Sequence, residues 1–430
     1  MNAIWIGLVM TSILVALFTG RMDEVTKASF ESAKKAVELA IGLVGAMALW
    51  LGLVKIAEEA GLMAVIARGL RPIMTRLFPD VPAEHPAMGA MIMNLSANVM
   101  GLGNAATPLG IKAMQELDKL NARKGVATDA MCLFLAINTS SVTLLPLGVI
   151  AVRASAGASD PGAILVPGLL STTFNTIVAV VAAKALRRIY AQREARVDVP
   201  AAGDIPQESD TEATASPKEP LVAVGWRRGL LPLYSLFFLA AMGIEGGRRL
   251  VGGEQVHSVM GALTPWLIPF LMGILVVYGV SRRVPVYETV CEGGKEGFNV
   301  ALRIIPFLVA ILVAVGMFRA SGALELFTSA MSPFTRLIGM PPDTLPMALV
   351  RPLSGSGAFG VMSDLVARAP DSLSAFIACI MQGTSDTTFY ILAVYFGAVQ
   401  VKRVRYAVFA GLLADGAGVL SSVFLGRLFY

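Results

Sequence analysis

Four short polar segments stand out because each lies in otherwise apolar sequence. Residues 94–108 read NLSANVMGLGNAATP, 138–143 read NTSSVT, 351–360 read RPLSGSGAFG and 382–388 read QGTSDTT. Amides, hydroxyls, an arginine and an acid are the groups needed to replace the hydration shell of a small solute or ion. Gly101, Gly103 and Pro108 weaken a continuous helix, and Asn104 favours a cap or left-handed turn. A break exposes backbone N–H and C=O groups that lipid cannot satisfy, so it is tolerated only against protein or a water-lined cavity. The segment 351–360, rich in glycine and serine and led by Arg351, is expected to be a second such element. An inverted dyad would bring the two together near the bilayer centre.

The other two segments each sit inside an apolar helix. Asp386 is their distinctive member, since an ionisable group at membrane depth costs about 3 kcal/mol on insertion scales. It must be paired, protonated, or set beside water or a cation, and Arg351 is its natural counter-charge or else the group that meets an anionic substrate. Asn94, Asn98, Asn104, Thr107, Asn138, Arg351, Ser354, Ser356 and Gln382 are therefore expected to line a solute site. Asp386 would carry a coupling proton or cation, with Thr139, Ser140, Thr384, Ser385 and Thr388 as oxygen ligands. Asp364 and Asp415 are weaker acidic candidates. Small and hydroxyl residues also pack helices closely and bond back to their own backbone, which is the plainer reading of Ser140 or Ser354 taken alone. Likewise His85 reads as a cap and Arg303 as a snorkelling side chain. Packing does not, however, require Asp386, Arg351 and Gln382 together.

The elements that hold these groups follow from composition. Charged residues make up 15% and apolar residues 55% of the 430, against about 25% charged in soluble domains. Against the roughly 20 apolar residues needed to span about 30 Å of hydrocarbon, the candidate spans are Ile4–Gly20, Val37–Val54, Met131–Val152, Ile164–Ala183, Leu230–Met242 (short unless it extends through Glu245), Leu263–Val280, Val300–Phe318, Leu373–Val399 and Val404–Leu425. Three more are apolar but interrupted: Leu62–Phe78 by Pro72, Met88–Ala113 and Leu345–Val366. Alternating β-barrel patterning is absent. The expected fold is an all-α polytopic membrane protein with about ten to twelve transmembrane or re-entrant helices, in two related, inverted repeats. Met1–Gly20 has no basic residue ahead of its apolar run and is expected to be a retained helix rather than a cleaved signal.

Residues 197–220 carry six acids and four prolines and read as a disordered linker. They divide the chain into 1–196 and 221–430, with residues 230–280 an extra helix pair. The halves resemble each other. ESAKKAVELAIGLV from Glu31 parallels EGGKEGFNVALRII from Glu292; NLSANVMGLG parallels PLSGSGAFG, pairing Ser96 with Ser354 and Asn98 with Ser356; NTSSVT parallels GTSDTT, pairing Thr139 with Thr384. Basic residues flanking the linker place it in the cytoplasm. The charges around the two Thr/Ser motifs then make one helix run outward and the other inward, the inverted arrangement that builds alternating-access transporters. Arg21, Lys27, Lys34 and Lys35 vote against this orientation.

Several functions are excluded. Basic residues cluster between spans, with no basic stripe for nucleic acid. Cys132, Cys291 and Cys379 form no CxxC pair, and His85 and His257 are too few for a metal cluster. No phosphate loop and no HExxH motif occur, and no histidine follows His257 to serve a serine nucleophile at Ser354. Neither a cofactor nor enzymatic chemistry is expected.

The N-terminal half resembles spore maturation protein A in ALWLGLVKIAEEAGL, HPAMGA, GLGNAATPLGIKAMQEL and AINTSS. The C-terminal half resembles spore maturation protein B in VYETVCEGGKEGF, FRASGA, LVRPLSGSGAFG and TSDTTFYILAVYFGAV. The chain thus looks like a fusion of the two, each half carrying the nucleoside-recognition or Gate domain. This resemblance implies a multi-pass protein of the bacterial inner membrane, related to concentrative nucleoside transporters and to the Gate region of ferrous-iron transporters. The family often has Glu where this chain has Asp386. The expected partners are the lipid bilayer and a small-molecule or ion substrate, and a homo-oligomer is compatible with the sequence. The expected function is a secondary transporter or channel for a small polar, anionic or nucleoside-like solute. The competing reading is a non-transporting membrane scaffold or sensor.

Overall fold

The computed structural model describes residues 2–101, 103–140, 142–194, 225–252, 263 and 266–430. The expected linker at 197–220, His257 and Ser141 lie outside them. The described residues are almost wholly helical: α1 (Asn2–Thr19), α2 (Met22–Glu59), α3 (Leu62–Leu77), α4 (Pro86–Val99), α5 (Gly103–Lys119), α6 (Asp129–Thr139), α7 (Leu147–Ser155) and α8 (Leu165–Glu194) form the first half. The second contains α9 (Leu230–Val251), α10 (Leu267–Ser281), α11 (Val286–Ala320), α12 (Ala323–Leu337), α13 (Leu345–Val350), α14 (Gly355–Arg368), α15 (Leu373–Thr384), α16 (Thr388–Ala398) and α17 (Ala407–Phe429).

Three expectations about spans are corrected. Met131–Val152 and Leu373–Val399, read as unbroken, are each two half-helices, α6 with α7 and α15 with α16. An 11-residue half-helix such as α6 rises about 17 Å, roughly half the hydrocarbon core, so two in line make one span. Conversely Leu62–Phe78 is not broken by Pro72, for α3 runs through it. Pro72 removes one donor, and the helix absorbs the loss. The breaks expected in Met88–Ala113 and Leu345–Val366 are present, at 100–102 and 351–354.

The caps are where the residue types demand. His85 accepts Ala87 N–H at the start of α4, while Thr128, Ser354 and Ser372 cap α6, α14 and α15 by accepting from the third residue on. Gly61 (φ 77°) and Gly322 (φ 85°) take the left-handed turn that starts α3 and α12.

Long helices of the two halves pair antiparallel. Along α2 and α11, Ser32 lies against Gly316, Ala48 against Gly297 and Leu51 against Gly293, one register rising as the other falls. A Cβ on Gly293 or Gly297 would come within 2.6 Å of backbone atoms of α2, so these glycines set the close approach. α8 and α17 pair similarly, through Ser171 with Ser421 and Asn175 with Gly418. Met22–Glu59, Leu165–Tyr190, Arg227–Val251 and Ala407–Phe429 are long and apolar enough to cross a membrane. Leu236 and Phe237 of α9, Phe174 and Val181 of α8 and Phe424 of α17 are exposed. Apolar surface of this kind is covered by lipid in a membrane protein and would be a liability in water.

Candidate functional site

The four breaks in the helices form a continuous core. In the first half, Leu144 N–H donates to Val99 C=O, joining the 140–146 break to the 100–102 break. In the second, Phe389 N–H donates to Pro352 C=O, joining the 385–387 break to the 351–354 break. The halves then meet where Asp386 N–H donates to Thr139 C=O at 2.6 Å. The two Gly-rich breaks therefore meet through the Thr/Ser breaks rather than directly. The bonds also correct the register: Leu144 and Phe389 each lie five residues past Thr139 and Thr384, so Val99 corresponds to Pro352, and Asn98 to Arg351. The Ser96–Ser354 pairing read from sequence is displaced by five residues.

The broken spans cross antiparallel. At one end the start of α6 meets the loop after α16: Ala127 N–H donates to Arg403 C=O, and Arg405 and Tyr406 both donate to Asp129 Oδ1, at 2.7 and 2.9 Å. Arg187 of α8 adds an ion pair to Asp129 Oδ2 at 2.9 Å. At the other end the loop after α7 meets the start of α15. Buried Arg153 donates to Pro370 C=O at 3.1 Å and to Asp160 C=O at 3.0 Å. Asp371 accepts Ser159 N–H and lies 3.6 Å from Arg153.

Around the first-half break the side chains are neutral. Asn98 donates to Asn138 Oδ1 at 3.0 Å, and Tyr395 of α16 donates to the same oxygen at 3.3 Å. Asn94 donates to Ala106 C=O and to the Tyr395 hydroxyl, leaving its own Oδ1 without a partner. The hydroxyls of Thr139 and Ser140 bond back to Leu135 and Ala136, which relieves their desolvation within their own helix. Thr107 is half-buried on α5; Asn104 lies in its first turn, with its side chain outside the described set.

Around the second-half break charge appears. Arg351, 5% exposed, donates to Gln382 C=O at 3.0 Å and to Thr387 Oγ1 at 3.4 Å. Its hydrogen bonds thus go to neutral oxygens, while Asp386 and Asp415 act on it through charge without a direct bond. Gln382 Oε1 has no partner. Asp386 is exposed, its Oδ1 accepting Thr387 N–H at 2.7 Å. Ser354, the cap of α14, lies 3.4 Å from Ser356. Thr384 bonds back to Ile380 C=O and reaches Ser171 and Ser422, while Thr388 donates to Asp415 at 2.6 Å. Ser385 is buried at the same break. Asp364, the other weak acidic candidate, is held away from the break by Arg319 and Arg368.

Sequence reasoning missed the residues that close the breaks. Asn175 donates to Thr384 C=O at 3.0 Å, and Thr176 donates to Ser140 C=O. One helix, α8, thus satisfies the last carbonyl of α15 and the residue that ends α6. Tyr395 was also missed. The available signal was the spacing of Ser171 and Asn175, and of Asp415, Gly418 and Ser422, each along one face of a long apolar helix.

With this geometry in view, the comparisons with known proteins are specific. Residues 40–156 and 301–402 match the Gate family, described as nucleoside recognition. The chain is 45% identical over 180 residues to spore maturation protein A of Bacillus subtilis strain 168, covering 42% of this chain and 92% of that protein. It is also 45% identical over 174 residues to spore maturation protein B of the same strain, covering 40% of this chain and 98% of that protein. These matches are consistent with a fused A/B protein. The Gate stretches contain all four breaks and both Arg351 and Asp386.

Proposed function

This chain belongs to the Gate family of nucleoside-recognition membrane proteins, and we propose that it is a secondary transporter or channel for a small polar solute. The observation that carries this reading is the antiparallel crossing of two interrupted spans at Thr139 and Asp386. Breaks at membrane depth are tolerated only against protein or a cavity, and they supply the free backbone groups and helix ends that a solute pathway uses and a scaffold does not require. The antiparallel pairing of α2 with α11, α6–α7 with α15–α16 and α8 with α17 supports an inverted repeat, in which rocking one half against the other exposes the centre alternately.

The solute class follows from charge. The N-termini of α5, α7, α14 and α16 converge on the breaks and carry positive partial charge. Arg351 adds a full charge there, and its Nε has no partner. An anionic group, such as a carboxylate or phosphate, is the complementary ligand. Asn94 Oδ1 and Gln382 Oε1, both unpartnered, would accept from the rest of the solute. The bacterial inner membrane and a cytoplasmic position for residues 197–220 complete the proposal.

The test is flux. Purified protein in proteoliposomes should show saturable counterflow of at least one member of a panel of nucleosides, nucleotides and dicarboxylates. Arg351→Gln should lower it at least ten-fold for an anion, and by less for a neutral nucleoside. Absence of flux for every compound, with intact wild-type protein, would move the protein to the scaffold class.

A further inference from the structure

The polar groups at the crossing have two sides. Asp386 is exposed on one. On the other, α8 and α17 press oxygen-bearing side chains onto the 384–388 break. There, donors and acceptors do not balance. Thr388 Oγ1 donates to Asp415 Oδ2 at 2.6 Å, and Asp415 Oδ1 has no partner. Asn175 Nδ2 donates to Thr384 C=O, and Asn175 Oδ1 has no partner. Asp415 is 5% exposed and Asn175 fully buried. A Cβ on Gly418, one turn beyond Asp415, would lie 3.2 Å from Asn175 Nδ2, so both residues address the same strip between α17 and the break. Of the neighbouring hydroxyls, Ser421 and Ser422 donate to Gly418 C=O and Thr384 to Ile380 C=O, while Ser385 reaches the Asp415 carboxyl without supplying a partner to its Oδ1.

Two buried oxygens without donors, one of them on a carboxylate, are costly unless something positive meets them. Arg351, 5% exposed, offsets the Asp415 carboxylate in formal charge but donates no hydrogen bond to its Oδ1. The C-terminal end of α15, which is electronegative, points at the same place.

We propose that a monovalent cation binds at the 384–388 break on its α8/α17 side, with Asp415 Oδ1 and Asn175 Oδ1 among its ligands. All the donors are oxygens, which selects a hard cation. A single carboxylate suits one charge rather than two. Among the described residues no group of three or more His, Cys, Asp or Glu side chains converges as a transition-metal site would require. Asn175 and Asp415 both lie outside the stretches that match the Gate family, so this site belongs to the helices that flank the matched core. The inference rests on the transporter reading only for its purpose, which is to couple ion and solute. Cation binding itself is measured without solute, so either reading can fail alone.

The experiment uses the full-length protein purified in detergent. Radioactive sodium binding and the thermal unfolding midpoint are followed against sodium, lithium, potassium and choline at fixed pH, and against pH in choline. Saturable sodium binding with a rise in midpoint that choline does not reproduce is expected. Asp415→Asn should abolish it and Asn175→Ala should weaken it at least ten-fold. Asp343→Asn, an exposed acid removed from the break, should leave it unchanged. Circular dichroism confirms folding, and Asn175→Ala serves alone if Asp415→Asn does not fold. The proposal is overturned if no monovalent cation shifts the midpoint. A midpoint that responds to pH but to no cation overturns it in favour of a proton. Binding that survives both Asp415→Asn and Asn175→Ala also overturns it.

Discussion

The two halves build the same backbone joint and bridge it with different chemistry. In each, a residue five positions past the Thr139 or Thr384 motif donates to the carbonyl flanking the preceding break, Leu144 to Val99 and Phe389 to Pro352. The side chain next to that carbonyl is Asn98 in one half and Arg351 in the other. Asn98 holds Asn138, an exchange of neutral amides; Arg351 holds Gln382 C=O and Thr387. The two joints are thus alike in backbone, and charge stands on one side only. A buried charge costs several kcal/mol before its partners repay it, whereas a neutral amide pair costs little. The first-half joint is made without an arginine, and in the proposed transporter the asymmetry serves what the site binds. Each half also completes the other, Tyr395 reaching Asn94 and Asn138, and Asn175 capping Thr384.

The comparison is broken most directly by removing each bridge. Arg351→Met leaves Gln382 C=O unsatisfied and Asp386 and Asp415 without a compensating charge, and should destabilise the protein by about 3–5 kcal/mol. Asn98→Ala leaves Asn138 Oδ1 still bonded to Tyr395 and should cost about 1 kcal/mol. Unfolding of the two variants in the same detergent decides the matter. Equal losses would mean that both bridges are structural and that the charge has no separate role.

What the sequence disclosed follows the same division. Glycine, asparagine and proline announce a break because they change backbone preference, so the interruptions at 100–102 and 351–354 were legible. The breaks at 140–146 and 385–387 were not. Thr and Ser are tolerated inside apolar helices, and a hydropathy window averages them away. Nor does composition register that Asp386 N–H must leave its helix to reach Thr139. The likeness of the halves was readable in sequence, but matching Ser96 to Ser354 does not coincide with the backbone bonds from Leu144 to Val99 and from Phe389 to Pro352, because side-chain likeness carries no information about which carbonyl a distant N–H meets. Asp386 drew attention as an acid beside other polar residues. Asp415, surrounded in sequence by alanine and glycine, is the more buried of the two, since burial depends on α8 and α15 arriving from elsewhere in the chain.

A second contrast lies at the two ends of the crossing. At the Arg153 end a single guanidinium, 3% exposed at the side chain, holds Pro370 and Asp160 carbonyls and sits 5.7 Å over the Phe376 ring. At the Asp129 end three donors share one carboxylate. Arg153→Ala should therefore cost about 3 kcal/mol through lost charged hydrogen bonds and packing. Arg405→Ala, which leaves Asp129 with Arg187 and Tyr406, should cost about 1 kcal/mol. If the ends are the two closures of an alternating pathway, the weaker should open first. A cysteine placed beside Asp129 would then react with a polar maleimide faster than one placed beside Asp371, and the reverse order would assign the weaker closure to the Arg153 end.

The smallest expected effect sharpens the same contrast through pH. Asp160, in the loop between α7 and α8, is half-buried, and that burial raises its carboxyl above the usual value despite Gly162 N–H donating to Oδ1 and Arg153 lying nearby. The folded protein consequently keeps a proton that the unfolded chain has released. Stability falls as pH climbs from about 4, the ordinary carboxylate range, through the raised folded value, and the penalty is constant above it. Asp160→Asn retains an oxygen for Gly162 and removes the ionisation. The variant should therefore unfold at a higher temperature than wild type at pH 7.5, with the difference shrinking as pH is lowered towards 4. Partial exposure screens the effect and keeps it small. A difference that grew on acidification would mean that the Arg153 charge, rather than burial, governs this carboxyl, and the closure at this end would then be an ion pair like its counterpart at Asp129.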